Sequence, residues 1–552
     1  MKTKETISTD VLDRKWIDTN IPCKAACPIL TDIPGYIGAI IEGDYKKAYL
    51  INRNDNVLPS ILGRVCTRPC EKVCRHGREG FGEPVSICFL KRSASDYGFE
   101  NIKMDIKKNG KKICVIGAGP AGLTVANDLA IKGYKITLLE QFEHAGGMLR
   151  YGIPQFRLPY DIVAKDVKSI IDLGVEIKTN VRIDFNNDVE KLKNDYDAVV
   201  LAGGCMQPKK VDFEGLDKKG MYWGIDFMID ANNEQMNDYK PKNVVVIGGG
   251  FTSVDCCRMA YRLGAKNITL CFRRTKDDMA VGEEEVSAME AEGVNMTFLV
   301  NPKRLIFDEE KITGIELTHT NIEKDGSLKE IPDSEFIINC DTVVFAIGQK
   351  SDEISGSKKF EQDGNFFMTG DFRNGASTVI EAAADGRYIA RKVHEYISKI
   401  NGYEDVIHIS DIKETGRVRD YDFINRNHMD EIPVIERKEK NKEVEIGYSK
   451  EKALEEAKRC YLCHYNFQID IDRCIYCLAC IDVMPVDCIS MVKDIEIDDK
   501  GKLNYIKAAS WSEARAIAID NDKCIRCGNC YRICPVECIS ISKYYLDTIE
   551  KK

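Results

Sequence analysis

Two runs near the C-terminal end of the chain, CIYCLACIDVMPVDC over 474–488 and CIRCGNCYRICPVEC over 524–538, place cysteines at matching offsets. The second run reads C-x2-C-x2-C-x3-C-P; the first does too, except that Met484 stands where the fourth cysteine belongs. No other feature constrains the fold so tightly. Thiolates at these gaps hold iron–sulfur clusters, and in a doubled run the fourth cysteine of each serves the other cluster. Cys474, Cys477, Cys480 and Cys534 therefore make one complete set. Cys524, Cys527 and Cys530 need one more thiolate, and Met484 offers only a neutral thioether, a poor ligand for cluster iron.

Cys488 lies four residues beyond Met484. A chain that turns helically past Pro485 puts those two positions on one face, which makes Cys488 the favoured replacement ligand. A three-iron cluster and a non-cysteine fourth ligand stay open beside it. Cys538 follows an intact Cys534 and reads as a core thiol. The two runs define a bacterial-type two-cluster ferredoxin domain over 468–545.

With 552 residues the chain is too long for one core, so several domains are expected. Its net charge of −9 implies no basic face and argues against nucleic acid as a partner. No apolar run approaches the roughly 20 residues of a membrane span. The opening MKTKETISTDVLDRKW lacks the apolar stretch of a signal peptide, so a cytoplasmic location is expected. In a reducing compartment, clustered cysteines point to metal rather than disulfides. Of 23 cysteines, six fall within Cys23–Cys88 and eleven within Cys460–Cys538. Cys114, Cys205, Cys256, Cys257, Cys271 and Cys340 are scattered, mostly in or beside apolar runs, and read as core residues.

From Lys111 to about Arg391 short β-rich runs alternate with glycine turns and helical stretches, the text of βαβ units. An internal repeat stands out: KKICVIGAGPAGLTVANDLAIKGYKITLLE (111–140) and KNVVVIGGGFTSVDCCRMAYRLGAKNITLCFRR (242–274). Two dinucleotide-binding folds imply two dinucleotides. In the first, Gly117, Gly119 and Gly122 follow a strand directly, and Glu140 ends the next strand, where a ribose hydroxyl would be met. In the second, Gly248 and Gly250 are followed by Ser253; Phe272 replaces the acid, and Arg273 and Arg274 come next. Losing the acid and gaining two guanidiniums favours NADP(H) over NAD(H), with surface ion pairing of the arginines as the plain alternative.

The segments GGMLRYGIPQFRLP (146–159), DAVVLAGG (197–204), TVVFAIGQ (342–349) and FFMTGDFRNGASTVIEAAADGRYIA (366–390) resemble the two-dinucleotide flavoprotein reductases. They are most similar to the small subunit of glutamate synthase and its relatives, including dihydropyrimidine dehydrogenase. The resemblance implies that the first fold binds FAD, with Gly147, Gly370 and Asp371 contributing, and that the second, inserted fold binds NADPH. The expected fold is an α/β core of two Rossmann-like domains between an N-terminal helical iron–sulfur domain and the ferredoxin domain. The boundaries read 1–105 for the helical domain, 110–235 with 341–405 for FAD, 236–340 for NAD(P)H, and 406–467 for a linker. Residues 141–165 contain no cysteine, so the flavin has no adjacent redox disulfide and its electrons leave through other carriers.

The same resemblance organises the first cysteine zone. The family begins with a C-x2-C pair that residues 1–22 lack, while EEAKRCYLCHYN carries one at Cys460 and Cys463. By that likeness Cys23, Cys74, Cys460 and Cys463 form one set, and Cys27, Cys66 and Cys70 another. The family's fourth ligand of that second set aligns with Lys91, whose ammonium cannot bind iron; Cys88, three residues earlier, is the substitute. Two zinc sites remain the alternative for these thiols. Sixteen cysteines then serve four [4Fe–4S] clusters, one of them a three-iron cluster if Cys488 is not a ligand.

No acid–base pair for an organic substrate is apparent, so catalysis centres on the flavin. The expected activity is FAD- and iron–sulfur-dependent NAD(P)H oxidation or reduction, with electrons exchanged with another redox subunit or a ferredoxin. Rival readings are a glutamate synthase small subunit feeding a large one, a flavin-bifurcating subunit, and an electron-wiring module.

Overall fold

The computed structural model describes residues 14–78, 82–101, 104–185, 187–212, 214–236, 239–351, 360–500 and 502–551. The chain divides into two compact units. One comprises residues 102–393 and 430–446; the other gathers 1–101, 394–429 and 447–552.

The first unit is the dinucleotide-binding part. Its strands are continuous apolar runs because helices cover both faces of a parallel sheet. The six-stranded sheet runs in the order Gln362–Asp363, Phe366–Met368, Ala198–Leu201, Lys112–Ile116, Lys135–Leu139 and Glu176–Lys178. A five-stranded parallel sheet runs Met221–Trp223, Thr342–Phe345, Asn243–Ile247, Asn267–Phe272 and Val294–Phe298. The internal repeat keeps its register: Ile116 pairs with Leu139 and Ile247 with Cys271, so Phe272 occupies the place of Glu140. An antiparallel sheet built on Val300–Asp308 and Lys311–Ile322 completes the second fold. Two Rossmann-like folds therefore stand in one unit, the second inserted in the first.

The other unit joins both cysteine zones. Short helices, among them Pro22–Ala25, Ile33–Ile41, Pro69–Lys72 and Ile87–Gly98, carry the first zone. The tail supplies two small antiparallel sheets. In one, the terminal strand Ile539–Glu550 lies between Tyr465–Ile469 and Tyr403–Ile412. The segment expected as a linker thus provides most of a strand that begins at Tyr403 and is paired along ten positions. It also provides the helix Lys450–Lys458, which Ser449 caps by accepting the Lys452 N–H and which packs on Ile33–Ile41 and Ile87–Gly98. Among the described residues no helix is long and apolar enough to cross a membrane.

Candidate functional site

At the first glycine turn, Gly117 has φ +103°, a conformation that side chains avoid, and a Cβ on Gly122 would stand 1.9 Å from the Gly117 carbonyl. The 12-residue helix Pro120–Ile131 starts there with proline in its first turn. Gly147 and Gly370 close on the same helix start: Cβ atoms on them would lie 2.9 Å from Gly119 Cα and 2.7 Å from Ala121 Cβ. Bare backbone at a helix N-terminus suits a dinucleotide pyrophosphate. Glu140 is buried, and its carboxylate accepts the N–H groups of Ala118 and Phe142, both at 2.9 Å; burial raises its pKa. Asp371 accepts the Ser377 hydroxyl, and burial raises its pKa too. The turn itself is set by Asp385, which accepts from Thr369 Oγ1 at 2.8 Å and from the Gly370 N–H at 2.6 Å. Nothing in the spacing of Asp385 singled it out in the sequence.

In the second turn Ser253 donates its hydroxyl to the Gly250 carbonyl at 2.6 Å, and the Phe272 ring lies against Gly249. Arg273 is exposed, whereas Arg274 is half-buried and donates to the Gly326 carbonyl at 3.1 Å. Neither guanidinium forms an ion pair among the described residues, so the surface-pairing alternative has no partner there.

The thiols of the other unit fall into four neighbourhoods. Cys23 is pushed well up by burial and then by the thiols of Cys463, Cys460 and Cys74, which defines a first set. The arm bearing Cys460 and Cys463 is held by two deeply buried charges. Glu456 accepts the N–H groups of Ser86 at 2.8 Å and Asn427 at 2.7 Å. Arg459 donates to Glu456 at 2.6 Å and to the carbonyls of Glu83 and Pro84. Cys66, Cys70 and Cys88 are linked by thiol hydrogen bonds, a second set that with Cys27 surrounds Lys91. Lys91 is buried and forms no ion pair among the described residues; burial disfavours its ammonium, but Cys88, Cys66, Cys27 and Cys70 outweigh that and raise its pKa.

In the tail, Cys488 is hydrogen-bonded to Cys524, and Cys530 and Cys527 are the next thiols that act on it, a third set. The bond holds Cys524 down at about 6 and pushes Cys488 up. Cys474, Cys477, Cys480 and Cys534 line one pocket walled by Ile469, Ile517 and Ile539, a fourth set. Cys538 lines it as well, 3.4 Å from the Cys534 sulfur and hydrogen-bonded to Cys474. The sequence reading left Cys538 in the core; its equivalence to Cys488 was the signal available. Among the described residues no three His, Cys, Asp or Glu side chains converge as a single-ion site.

Neighbouring sets share residues. Tyr36, fully buried, feels Cys70 and Cys88 of the second set together with Cys23 of the first. Arg75 acts on Cys463 of the first set and Cys524 of the third. Cys480 of the fourth set acts on Cys530 of the third. The order along the unit is second, first, third, fourth. Cys477 of the fourth set is the exposed cysteine of the chain.

Two dinucleotide folds in one unit and four thiol sets in the other define an iron–sulfur flavoprotein oxidoreductase. Comparison with known proteins agrees. Residues 111–379 match the pyridine nucleotide-disulphide oxidoreductase family, 15–103 the dihydropyrimidine dehydrogenase domain II with a 4Fe–4S cluster, and 473–538 the 4Fe–4S dicluster domain. The chain is 34% identical to the NADP(+)-dependent formate dehydrogenase subunit beta of Moorella thermoacetica, covering 80% of this chain and 70% of that one. It is 34% identical to the NADPH-Fe(3+) oxidoreductase subunit beta of Geobacter sulfurreducens, covering 80% and 75%. With the glutamate synthase [NADPH] small chain of Escherichia coli the identity is 30%, over 68% of this chain and 88% of that one. The chain belongs to this family of NAD(P)H-dependent flavin and iron–sulfur oxidoreductases, whose cofactors are FAD, NADP(H) and several [4Fe–4S] clusters.

Proposed function

We propose that the chain is the NADPH-handling subunit of a larger redox complex, and that its four thiol sets hold four [4Fe–4S] clusters. One observation carries this: the Glu456–Arg459 anchor sets Cys460 and Cys463 beside Cys23 and Cys74, completing a set that adjoins the tail's thiols. FAD, when bound, accepts a hydride from the nicotinamide and releases electrons singly, as clusters require. The chain's own part is to position and insulate. Gly117, Gly119, Gly122, Gly147 and Gly370 offer bare backbone to the FAD pyrophosphate, and Glu140 faces its ribose. Gly248, Gly250 and Ser253 do the same for the nicotinamide dinucleotide, with Arg273 and Arg274 meeting a 2′-phosphate. The words NADP and NADPH in the relatives' names favour the same choice.

The partner that exchanges electrons docks near Cys477, the exposed thiol of the last set in the order. A formate-oxidising or metal-reducing partner fits the first two relatives; a glutamate synthase large subunit fits the third. Stopped-flow mixing of the purified chain with NADPH tests the reading. Flavin bleaching is expected, with NADPH preferred over NADH. Arg273→Ala and Arg274→Ala should each raise KM for NADPH about tenfold while leaving KM for NADH in place, the size of one lost charge-assisted contact. A flavin that neither nucleotide bleaches sinks the proposal, and the proteins that copurify with the chain decide among the partners.

A further inference from the structure

Three arginines between the first and third thiol sets are almost wholly buried: Arg75 is 3% exposed, Arg417 1% and Arg526 0%. Each touches both sides. Arg75 follows Cys74 and donates to the Asn521 carbonyl at 2.7 Å and to Asp522 at 2.9 Å, just ahead of Cys524. Arg417 lies over the Tyr461 ring, 4.9 Å from its centroid and between Cys460 and Cys463, and donates to the carbonyl of Ile525. Arg526 sits between Cys524 and Cys527 and donates to the Tyr465 carbonyl at 3.2 Å, two residues past Cys463.

Their charge is only partly balanced by carboxylates. Arg75 pairs with Asp522 and Arg417 with Asp422 at 2.7 Å, but Arg526 forms no ion pair among the described residues. On each guanidinium one buried N–H finds no acceptor: Nε of Arg75, Nε of Arg417 and Nη2 of Arg526. A guanidinium cannot shed its charge by losing a proton. Burying such a charge without partners is costly, so the fold has a reason to place anionic groups against it. The thiol sets on either side are where such groups would sit.

We propose that Arg75, Arg417 and Arg526 form a cationic septum that raises the reduction potentials of the clusters held by the first and third sets, drawing electrons to this inner pair. This rests on the reading of those sets as cluster sites. A cluster with four thiolates is anionic, and each added electron makes it more so. A fixed positive charge in a poorly screened interior therefore favours the reduced state. Asp422 and Asp522 partly cancel the effect, which gives the septum a setting that single substitutions move in either direction.

The test is an EPR-monitored reductive titration of the full chain, with iron and sulfide measured on every sample. Cys460→Ser and Cys527→Ser identify the signals of the inner pair. Arg417→Met and Arg526→Met should lower those two midpoints and leave the second and fourth sets in place. Arg417→Lys and Arg526→Lys should retain most of the wild-type value. Asp422→Asn should shift the pair the opposite way, upward, which a general loosening of the fold would not produce. Where a Met variant loses iron, the Lys and Asn variants decide. Midpoints unchanged at full iron content, a shift shared equally by all four centres, or a downward shift in Asp422→Asn would overturn the septum. A wild-type chain without iron and sulfide would instead remove the cluster reading beneath it.

Discussion

The two cysteine runs of the tail fold alike and carry their sulfur differently. Each sets its third cysteine in a short helix, Ala479–Asp482 or Asn529–Ile533, entered through a left-handed residue, Leu478 at φ 63° or Gly528 at φ 75°. Each then enters a strand directly after a cysteine, Cys488 or Cys538. Between these points the sulfur differs in kind but not in duty: Cys534 accepts the N–H of Cys538 at 3.4 Å, and Met484 accepts the N–H of Ile489 at 3.3 Å. Sulfur at this place closes the turn in both runs. A thioether can do that; it cannot serve as a thiolate ligand. The comparison separates two roles that one cysteine ordinarily combines, and it leaves Cys488, hydrogen-bonded to Cys524, as the proposed fourth ligand.

The largest effect should follow from removing that thiol. Cys488→Ala leaves the third set with three thiols, and one cluster should be lost or converted to a three-iron form. That is a fall of about one to four of about sixteen iron atoms per chain. Iron analysis and EPR read it; full iron with unaltered signals would mean that Cys488 is not a ligand. A second substitution sharpens the comparison. In Met484→Cys with Cys488→Ala the first run regains the spacing of the second, so the lost four-iron signal should return. If it stays lost, the turn around Met484 does not point its sulfur at the third set, and the two runs differ in path as well as in sulfur.

How much of this was legible depends on whether the signal was local. Gly117, Gly119 and Gly122 could be read because strand, turn and helix are contiguous, and the register of Ile116 with Leu139 and Ile247 with Cys271 follows from the same repeat. The doubled cysteine spacing was legible for the same reason. Three features were not. The strand Tyr403–Ile412 was not legible because it pairs with Ile539–Glu550, more than a hundred residues away, and exposes much of its length. Asp385 acts on a turn that precedes it by a helical segment, at no recognisable offset. The arginines of the septum carry no signal in the sequence, since burial between two distant segments leaves no periodic mark. The placement of Cys460 and Cys463 was suggested by family wording; its physical basis, the Glu456 and Arg459 contacts, is long-range and invisible in sequence.

The smallest effect concerns the partner of Cys488 in the second run. Cys538 stands to Cys474 as Cys488 stands to Cys524, yet Cys534 beside it supplies the thiol that the first run lacks. The fourth set therefore has one sulfur more than a cluster needs. Cys538→Ala should keep all four clusters and full iron. It should cost about 1 kcal/mol of stability, the order expected for trimming one small buried group. Burial pushes the Cys534 thiol up, but the backbone N–H groups of Cys538 and Val536, then the Cys538 thiol, hold it below the ordinary range, and the substitution removes only the last of these. Loss of a cluster in Cys538→Ala, with Cys534→Ala retaining it, would show that both runs bind through their later cysteine. The symmetry between the runs would then be complete, and Met484 would mark only that the earlier sulfur was never the ligand in the first run.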